Sequence, residues 1–515
     1  MNYATYTWIG RKIYYILFKK NIRINWPLLH KFLHKHKYFF FLLMLYLFTR
    51  LFNLTLLPIF NDESIYLRWG WMEIQGNPYL SLYDGKQPLL MWLYGYAQLF
   101  INDPLIAGRI ISVGTGFLTL IGIYELGLYF FSKRVALLSA LFYIVGNIFV
   151  FYDRQALMES SLCTIGVFSC YFFLRLLKKP NIIFAILLGI CLGVGLFIKL
   201  TAGIFILTII ILGFFSGMQK KAIYRLLLLV SANVGALILR PLLGQPDVSN
   251  IIAYNNRYAY SFFDFIHNPF VIIFQNTLAT ISILFAYLTP TVFVVTFLGI
   301  WNVLQSKNRY RRLLVLWFLT TMVIFILFTR NPSDRYIVAF LPVTVIFCGY
   351  AMDIASKRVK KSFLGNLLIV ITLISPGIFT GYLLLSPVSY FTVLSFLSPY
   401  TNMGYVRSWP SGYGIPQTML FLLSEAKNQQ VTVYTGVDTG NPEDALYVYL
   451  GDRAVKNMSI FTSYEGAVCQ RARQSATIAY YVTRNDEGIE PCMQLVQKFY
   501  KPVGNDYVGI YRIIL

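Results

Sequence analysis

Tyr38-Phe39-Phe40-Phe41-Leu42-Leu43-Met44-Leu45-Tyr46-Leu47-Phe48-Thr49-Arg50-Leu51-Phe52-Asn53-Leu54-Thr55-Leu56-Leu57 is an apolar run with the ~20 residues a helix needs to cross hydrocarbon. Runs of the same kind recur at Ile182 to Ile198, Leu313 to Thr329 and Phe363 to Leu385. A soluble fold could not hide them: 57% of the 515 residues are hydrophobic and 13% charged, against about 45–50% and about 25% in ordinary soluble domains. The chain reads as an α-helical polytopic membrane protein.

Working outward from that run, charge sets the topology. The net charge of +22 invites a nucleic-acid partner, but the basic residues form no single basic face. They lie between apolar runs instead: in the N-terminus from Arg11 to Lys37, at Lys133-Arg134, Arg175 with Lys178-Lys179, Lys220-Lys221 with Arg225, Lys307 to Arg312, and Lys357 to Lys361. With every basic loop placed inside, the sequence gives about eleven transmembrane helices, at about 38–57, 107–130, 135–151, 156–177, 181–198, 202–218, 223–242, 281–304, 313–329, 336–355 and 363–385. Val271 to Leu304 is long enough for a span plus an interfacial helix; two spans would turn the Lys307 cluster outward, so charge favours one. The first run follows a long basic stretch without a small-residue cleavage site, so it reads as a retained span. The expectation is a multi-pass cell-membrane protein with residues 1–37 as a cytoplasmic basic N-terminus.

Three outer segments are long: Pro58 to Ile106, Gly244 to about Thr280, and everything after Ser386. The first holds Pro88 to Phe100, too short and aromatic for a span and suited to the membrane interface. From about Ser408 the pattern becomes that of a small extracytoplasmic α/β domain, closing a C-terminal region of 386–515. Val431 to Thr435, Thr477 to Val482 and Tyr507 to Ile514 read as strands; Thr418 to Lys427, Ala445 to Leu450 and Met493 to Phe499 read as helices. Cys163, Cys170, Cys191 and Cys348 sit in apolar runs and read as inert core residues. Cys469 and Cys492 in the tail could pair if the tail is outside the cell.

Charged residues gather at the outer boundaries. Asp62 and Glu63 follow the first span, where a carboxylate in a partly desolvated cleft could act as a general base; taken alone, the pair reads more commonly as a helix cap. Lys86 precedes the interfacial stretch and could hold a phosphate, or snorkel to headgroups. Glu159, after Arg154, lies at membrane depth, where ionisable groups are expensive and usually functional. Lys199 carries the same argument with less force, Arg335 could bind a phosphate bidentately, and Arg257, Tyr258 and His267 are weaker candidates. Four histidines offer little for a metal centre.

These residues resemble the family 39-like C-type (GT-C) glycosyltransferases, which include protein O-mannosyltransferases and the lipid A aminoarabinose transferase. Asp62-Glu63 resembles the acidic motif of that family's first outer loop, and Gly85-Lys86-Gln87-Pro88-Leu89-Leu90-Met91-Trp92 its Lys-Pro-Pro-Leu-x-x-Trp segment. Arg154 to Glu159 is similar to its Arg-x-x-x-x-Asp/Glu motif. Asp334-Arg335-Tyr336 with Leu341-Pro342 resembles its entry into a late span, and Gly195 to Thr201 approaches a further pattern. The resemblance covers about residues 38–385, the transmembrane catalytic domain with its outer loop 58–106.

It implies Asp62 as catalytic base, with Glu63 as supporting carboxylate and Glu159 as second acidic site residue. Lys86, Arg335 and Tyr336 would bind the donor phosphate, with Arg154, Lys199, Arg257 and His267 as further candidates. The implied reaction is inverting transfer of a hexosyl or pentosyl group from a polyprenyl-phosphate donor to a lipid, glycan or protein acceptor outside the cell. Gly85 stands where the aminoarabinose enzymes tend to carry a metal-binding acidic residue, so no zinc is expected. No cofactor is assigned, and a divalent metal stays open. The competing readings are a transporter or flippase of lipid-linked sugars, which would show repeats and midplane polar residues, and a non-catalytic scaffold.

Overall fold

The structure is a computed structural model that describes residues 37–359, 362–437, 440–451, 455–463, 467–474 and 477–514. Residues 1–36 of the expected cytoplasmic N-terminus, and Lys360 and Lys361 of one basic loop, lie outside the described residues. By internal packing the chain divides into Met1–Leu45 and Tyr46–Leu515. Of the first unit, only the opening of helix α1 (Lys37–Leu51) is described. The site lies wholly in the second.

Helix α1 stops at Leu51, short of the expected end at Leu57. Two arginines from later elements take up carbonyls that its end and the following turn leave free. Arg154 donates to the carbonyls of Thr49, Arg50, Phe52 and Asn53, and Arg109 to those of Leu54 and Leu57. A helix end needs such partners when it is buried. Apolar composition alone could not mark the stop, because the partners come from elsewhere in the chain.

The next helices are α2 (Asn61–Ile74) and α3 (Leu89–Gln98), the latter inside the interfacial stretch Pro88 to Phe100. They cross closely at Gly70 and Gly95, where a Cβ on either glycine would collide with the other helix's backbone. After α4 (Pro104–Phe130), α5 (Lys133–Val145) and α6 (Asn147–Tyr152) together occupy the third expected span, broken at Gly146. Then follow α7 (Glu159–Lys178), α8 (Ile182–Ile198), α9 (Gly203–Phe215) and α10 (Ala222–Leu243).

The second long outer segment holds the short helices α11 (Ser249–Asn255) and α12 (Phe262–His267), then α13 (Pro269–Tyr287) and α14 (Pro290–Leu304). The bundle closes with α15 (Arg309–Phe328), α16 (Asp334–Ile337), α17 (Thr344–Arg358), α18 (Ser362–Leu385) and α19 (Pro387–Leu397). Among the described residues, six helices are by themselves long and apolar enough to cross a membrane; the stretch from Asp334 to Arg358, bent by 60°, makes a seventh. The remaining expected spans are occupied by shorter or broken apolar helices.

Val271 to Leu304 is resolved by hydrogen bonding. Asn276 on α13 donates to the carbonyls of Ile326 and Thr329, at the end of α15 nearest Asp334. At the other end of the loop structure, Arg309 reaches the Ser216 carbonyl and Arg311 the Phe130 carbonyl. The Lys307 to Arg312 cluster thus shares its end of the bundle with the loops after α4 and α9. Those are loops that charge grouped with it; α13 is by itself long and apolar enough to cross a membrane, and α14 is a shorter apolar helix.

Beyond α19 lies a small α/β domain: helix α20 (Ile415–Glu425) and strands β1 (Val431–Gly436), β2 (Met458–Ser463), β3 (Ile478–Arg484), β4 (Met493–Tyr500) and β5 (Tyr507–Ile513). The sheet order is β2-β1-β3-β5-β4, with β1 parallel to β2 and β3 and the last pairs antiparallel. Met493 to Phe499, expected to be helical, is the edge strand β4, and β2 went unread. Met, Gln, Leu and Lys favour helix locally, but pairing with β5 from Met493–Ile513 to Tyr500–Tyr507 decides the outcome. Strand formation depends on such partners more than on intrinsic preference. Cys469 and Cys492 form a disulfide with Cα atoms 6.1 Å apart.

Candidate active site

Asp62 and Glu63 are neighbours at the start of α2, and neighbours on a helix point about 100° apart. Here they part. Glu63 turns inward. Its Oε2 accepts from the Phe60 amide at 2.9 Å and from Arg109 at 2.7 Å; its Oε1 accepts from Arg109 at 2.9 Å and the Ala156 amide at 2.7 Å. Both residues are fully buried. This is the helix-cap role extended into an ion pair, and Glu63 does not line the cavity.

Asp62 turns to a cavity of about 660 Å³. The mixed character of its walls follows from the elements that meet there. Asp62 and Tyr66 come from successive turns of α2, Lys86 and Gln87 from the loop before α3, Lys199 from the end of α8, Tyr254 and Tyr258 from the α11 region, and Arg335 and Tyr336 from α16. Ile204 and Leu207 of α9, with Ile324, Phe325 and Phe328 of α15, continue the wall as an apolar surface. The space is polar at one end and oily along the bundle.

Arg335 organises the polar end. Its Nη1 pairs with Asp62, its Nε donates to Glu159 Oε1 at 2.9 Å, and its Nη2 lies 3.3 Å from the Tyr66 hydroxyl. Lys199 donates to the same Glu159 oxygen at 2.8 Å, while Glu159 Oε2 has no hydrogen-bond partner. Lys86 donates to the Tyr254 hydroxyl at 2.5 Å, and Tyr254 is 3.2 Å from Tyr258. Burial alone would raise the Asp62 carboxyl, but Arg335, Lys86 and Lys199 outweigh it and hold it at about 2. Burial lowers the Lys86 ammonium, partly offset by Asp62.

Asp62, Lys86, Glu159, Lys199, Arg335 and Tyr336 are therefore brought together. Glu63 and Arg154 instead hold the turn after α1, whereas Arg257 and His267 are exposed and do not line the cavity. Sequence reading missed Tyr66, Tyr254 and Gln87, and gave Tyr258, which lines the cavity, only as a weaker candidate. Tyr66 was findable, four residues after Asp62 on one helix face; Tyr254 and Tyr258 reach the site only because α11 packs against the loop after Leu80. That packing also requires Gly85. Its φ is +69°, and a Cβ there would press on the Asn250 carbonyl and the Tyr254 side chain.

Asp62 at the cavity and Glu159 buried behind it are already paired with Arg335 and Lys199, a donor set that does not fit a divalent cation. Among the described residues, one further group has metal-ligand spacing, Cys469, Glu490 and Cys492, and its sulfurs are consumed by the disulfide.

Residues 85–243 match the family model of dolichyl-phosphate-mannose-protein mannosyltransferases. No curated protein matches in sequence. Among solved structures, ArnT from Cupriavidus metallidurans in the apo state superposes with a TM-score of 0.60 at 13% identity, over 92% of this chain and 97% of that one. The same protein bound to undecaprenyl phosphate gives 0.58 at 13% identity, over 92% and 97%. The Archaeoglobus fulgidus oligosaccharyltransferase in complex with Zn and sulfate gives 0.53 at 14% identity, over 91% and 72%. At these identities the shared property is the fold.

Proposed function

We propose that this chain is a C-type glycosyltransferase that transfers a sugar from a polyprenyl-phosphate donor, a reading supported by a fold shared over 92% of its length and a mannosyltransferase match over residues 85–243. The observation that carries this reading is one cavity joining a cationic end to an apolar wall. A polyprenyl-phosphate sugar needs that combination: cations for the phosphate and a dry surface for the chain.

In this reading the donor phosphate lies against Lys86 and Arg335, with the first isoprene units along Ile204, Leu207 and Phe325. The acceptor hydroxyl or amine approaches Asp62. Its oxygen or nitrogen forms a bond to the anomeric carbon as the bond from that carbon to the phosphate oxygen breaks. Asp62 takes the acceptor's proton, and Lys86 with Arg335 stabilises the charge gained by the leaving phosphate. Attack opposite the leaving group inverts the anomeric centre. Glu159 touches neither reactant; it positions Arg335 and Lys199. No step passes through a metal.

The site end faces outside the cell and the basic loops face the cytoplasm, the orientation that positive charge favours. The tail domain closes over the start of α2. The Asn441 amide donates to Asn61 Oδ1 at 2.7 Å, the Asn61 amide donates to the Pro410 carbonyl, and Arg68 pairs with Asp444 at 2.7 Å. It therefore fixes the helix that carries Asp62 and borders the acceptor's approach.

The test is sugar transfer in membranes holding wild type or Asp62→Asn, with radiolabelled polyprenyl-phosphate sugars and label followed into lipid, protein and polymer fractions. Transfer by wild type and its loss in the variant support the reading and name the acceptor class. A folded wild type that transfers from no donor overturns it.

A further inference from the structure

The cation best placed to bind the donor phosphate is already taken. All three nitrogens of Arg335 are occupied, by Glu159, Asp62 and Tyr66. A guanidinium offers five N–H groups in a fixed planar fork, three of which are used here, so a phosphate that takes over Nη1 from the cavity side meets Asp62 there as a competitor. Glu159 is fully buried and holds Arg335 through Nε, whereas the Asp62 side chain is 22% exposed and lines the cavity. Asp62 is the partner that can yield.

We propose that Asp62 and the donor phosphate compete for Arg335, so that donor binding releases the catalytic base and the enzyme takes donor before acceptor. The proposal rests on the glycosyltransferase reading. Its first support is geometric, since Glu159 and Lys199 keep the guanidinium anchored when Nη1 changes partner. Its second support is charge. Lys86, Lys199 and Arg335 against Asp62 and Glu159 leave the polar end at +1, which a phosphodiester donor of charge −1 neutralises. When the acceptor's proton has moved to Asp62 the end stands at +2, matching a leaving phosphate monoester of charge up to −2. While paired with Arg335, Asp62 is held at about 2 and is a poor base near neutral pH, where an effective one titrates nearer the working pH. A phosphate that takes over the guanidinium removes that restraint.

This is measurable without turnover: if the Asp62–Arg335 pair competes with the donor phosphate, removing the Asp62 carboxylate frees Arg335 and should strengthen phosphate binding. The experiment is equilibrium binding of undecaprenyl phosphate to the full chain in nanodiscs, comparing wild type, Asp62→Asn and Asp62→Ala. Undecaprenol, lacking the phosphate, and inorganic phosphate, lacking the chain, form the other arms. The expected result is binding of undecaprenyl phosphate about tenfold tighter in both variants, within the usual range of coupling between sites. Undecaprenol should show no such difference, and a smaller gain with inorganic phosphate locates the effect at the headgroup. Variants that bind undecaprenyl phosphate no tighter than a binding wild type, while failing to transfer sugar, overturn the competition and leave the glycosyltransferase reading standing. Wild type that binds no polyprenyl phosphate removes both.

Discussion

Two ionic clusters meet at the first turn of α2, and adjacent residues belong to different ones. Glu63 joins Arg109 in a pair without solvent, with both oxygens doubly occupied. Asp62 joins Arg335 at a cavity wall, beside a Glu159 oxygen that has no partner. The first cluster is complete, so it can only hold the chain together. The second borders open volume with the Asp62 side chain partly exposed to it, and that is what a ligand uses. Burial and ion pairing alone do not distinguish a site from a staple; completeness does.

The comparison breaks first at its two carboxylates. Asp62→Asn should lower the transfer rate by about 10²–10⁴-fold, the usual contribution of a positioned base, while the melting temperature stays near wild type; equal transfer rates would erase the distinction. Glu63→Ala, which strands Arg109 as a buried unpaired charge, should cost about 3–5 kcal/mol of stability, read as a lower melting temperature and yield of folded protein. A stable Glu63→Ala protein that is merely inactive would move Glu63 into the site.

Arg335→Lys sharpens the contrast on the cation side. A lysine keeps the charge but cannot bridge Glu159, Asp62 and phosphate with one planar fork. The rate should fall about 10²-fold with little change in melting, whereas Arg109→Lys should act mainly on stability.

The last test concerns a third carboxylate on the same helix. Glu73 is buried, one oxygen accepts the Ser81 amide at 2.9 Å, and the other has no partner. Burial raises its carboxyl from 4.5 to about 8, against the hydrogen bonds from Ser81. A group raised on folding contributes fully below its unfolded value and loses that contribution as pH rises through its folded one. The melting temperature should decline between about pH 5 and pH 8, and Glu73→Gln should flatten that decline. An unchanged slope would show that the carboxyl is already ionised in the folded chain.

The membrane class and the approximate positions of the helices were legible because apolar length is a local property. Within the site, Asp62, Lys86, Glu159 and Arg335 were legible because ionisable groups at an apolar boundary are costly wherever they stand. Glu63 and Arg154 carried the same signal and are placed away from the cavity, since both cases look alike until the partner is seen.

Sequence alone thus determined that the chain fills a bilayer with helices, and that its charges collect at one end. Tertiary structure decided which of two adjacent carboxylates meets Arg109 and which meets a cavity, that α11 brings Tyr254 to Lys86, and that Met493–Tyr500 is a strand. Each of these depends on a partner far away in the chain, and its free energy does not exist until that partner arrives.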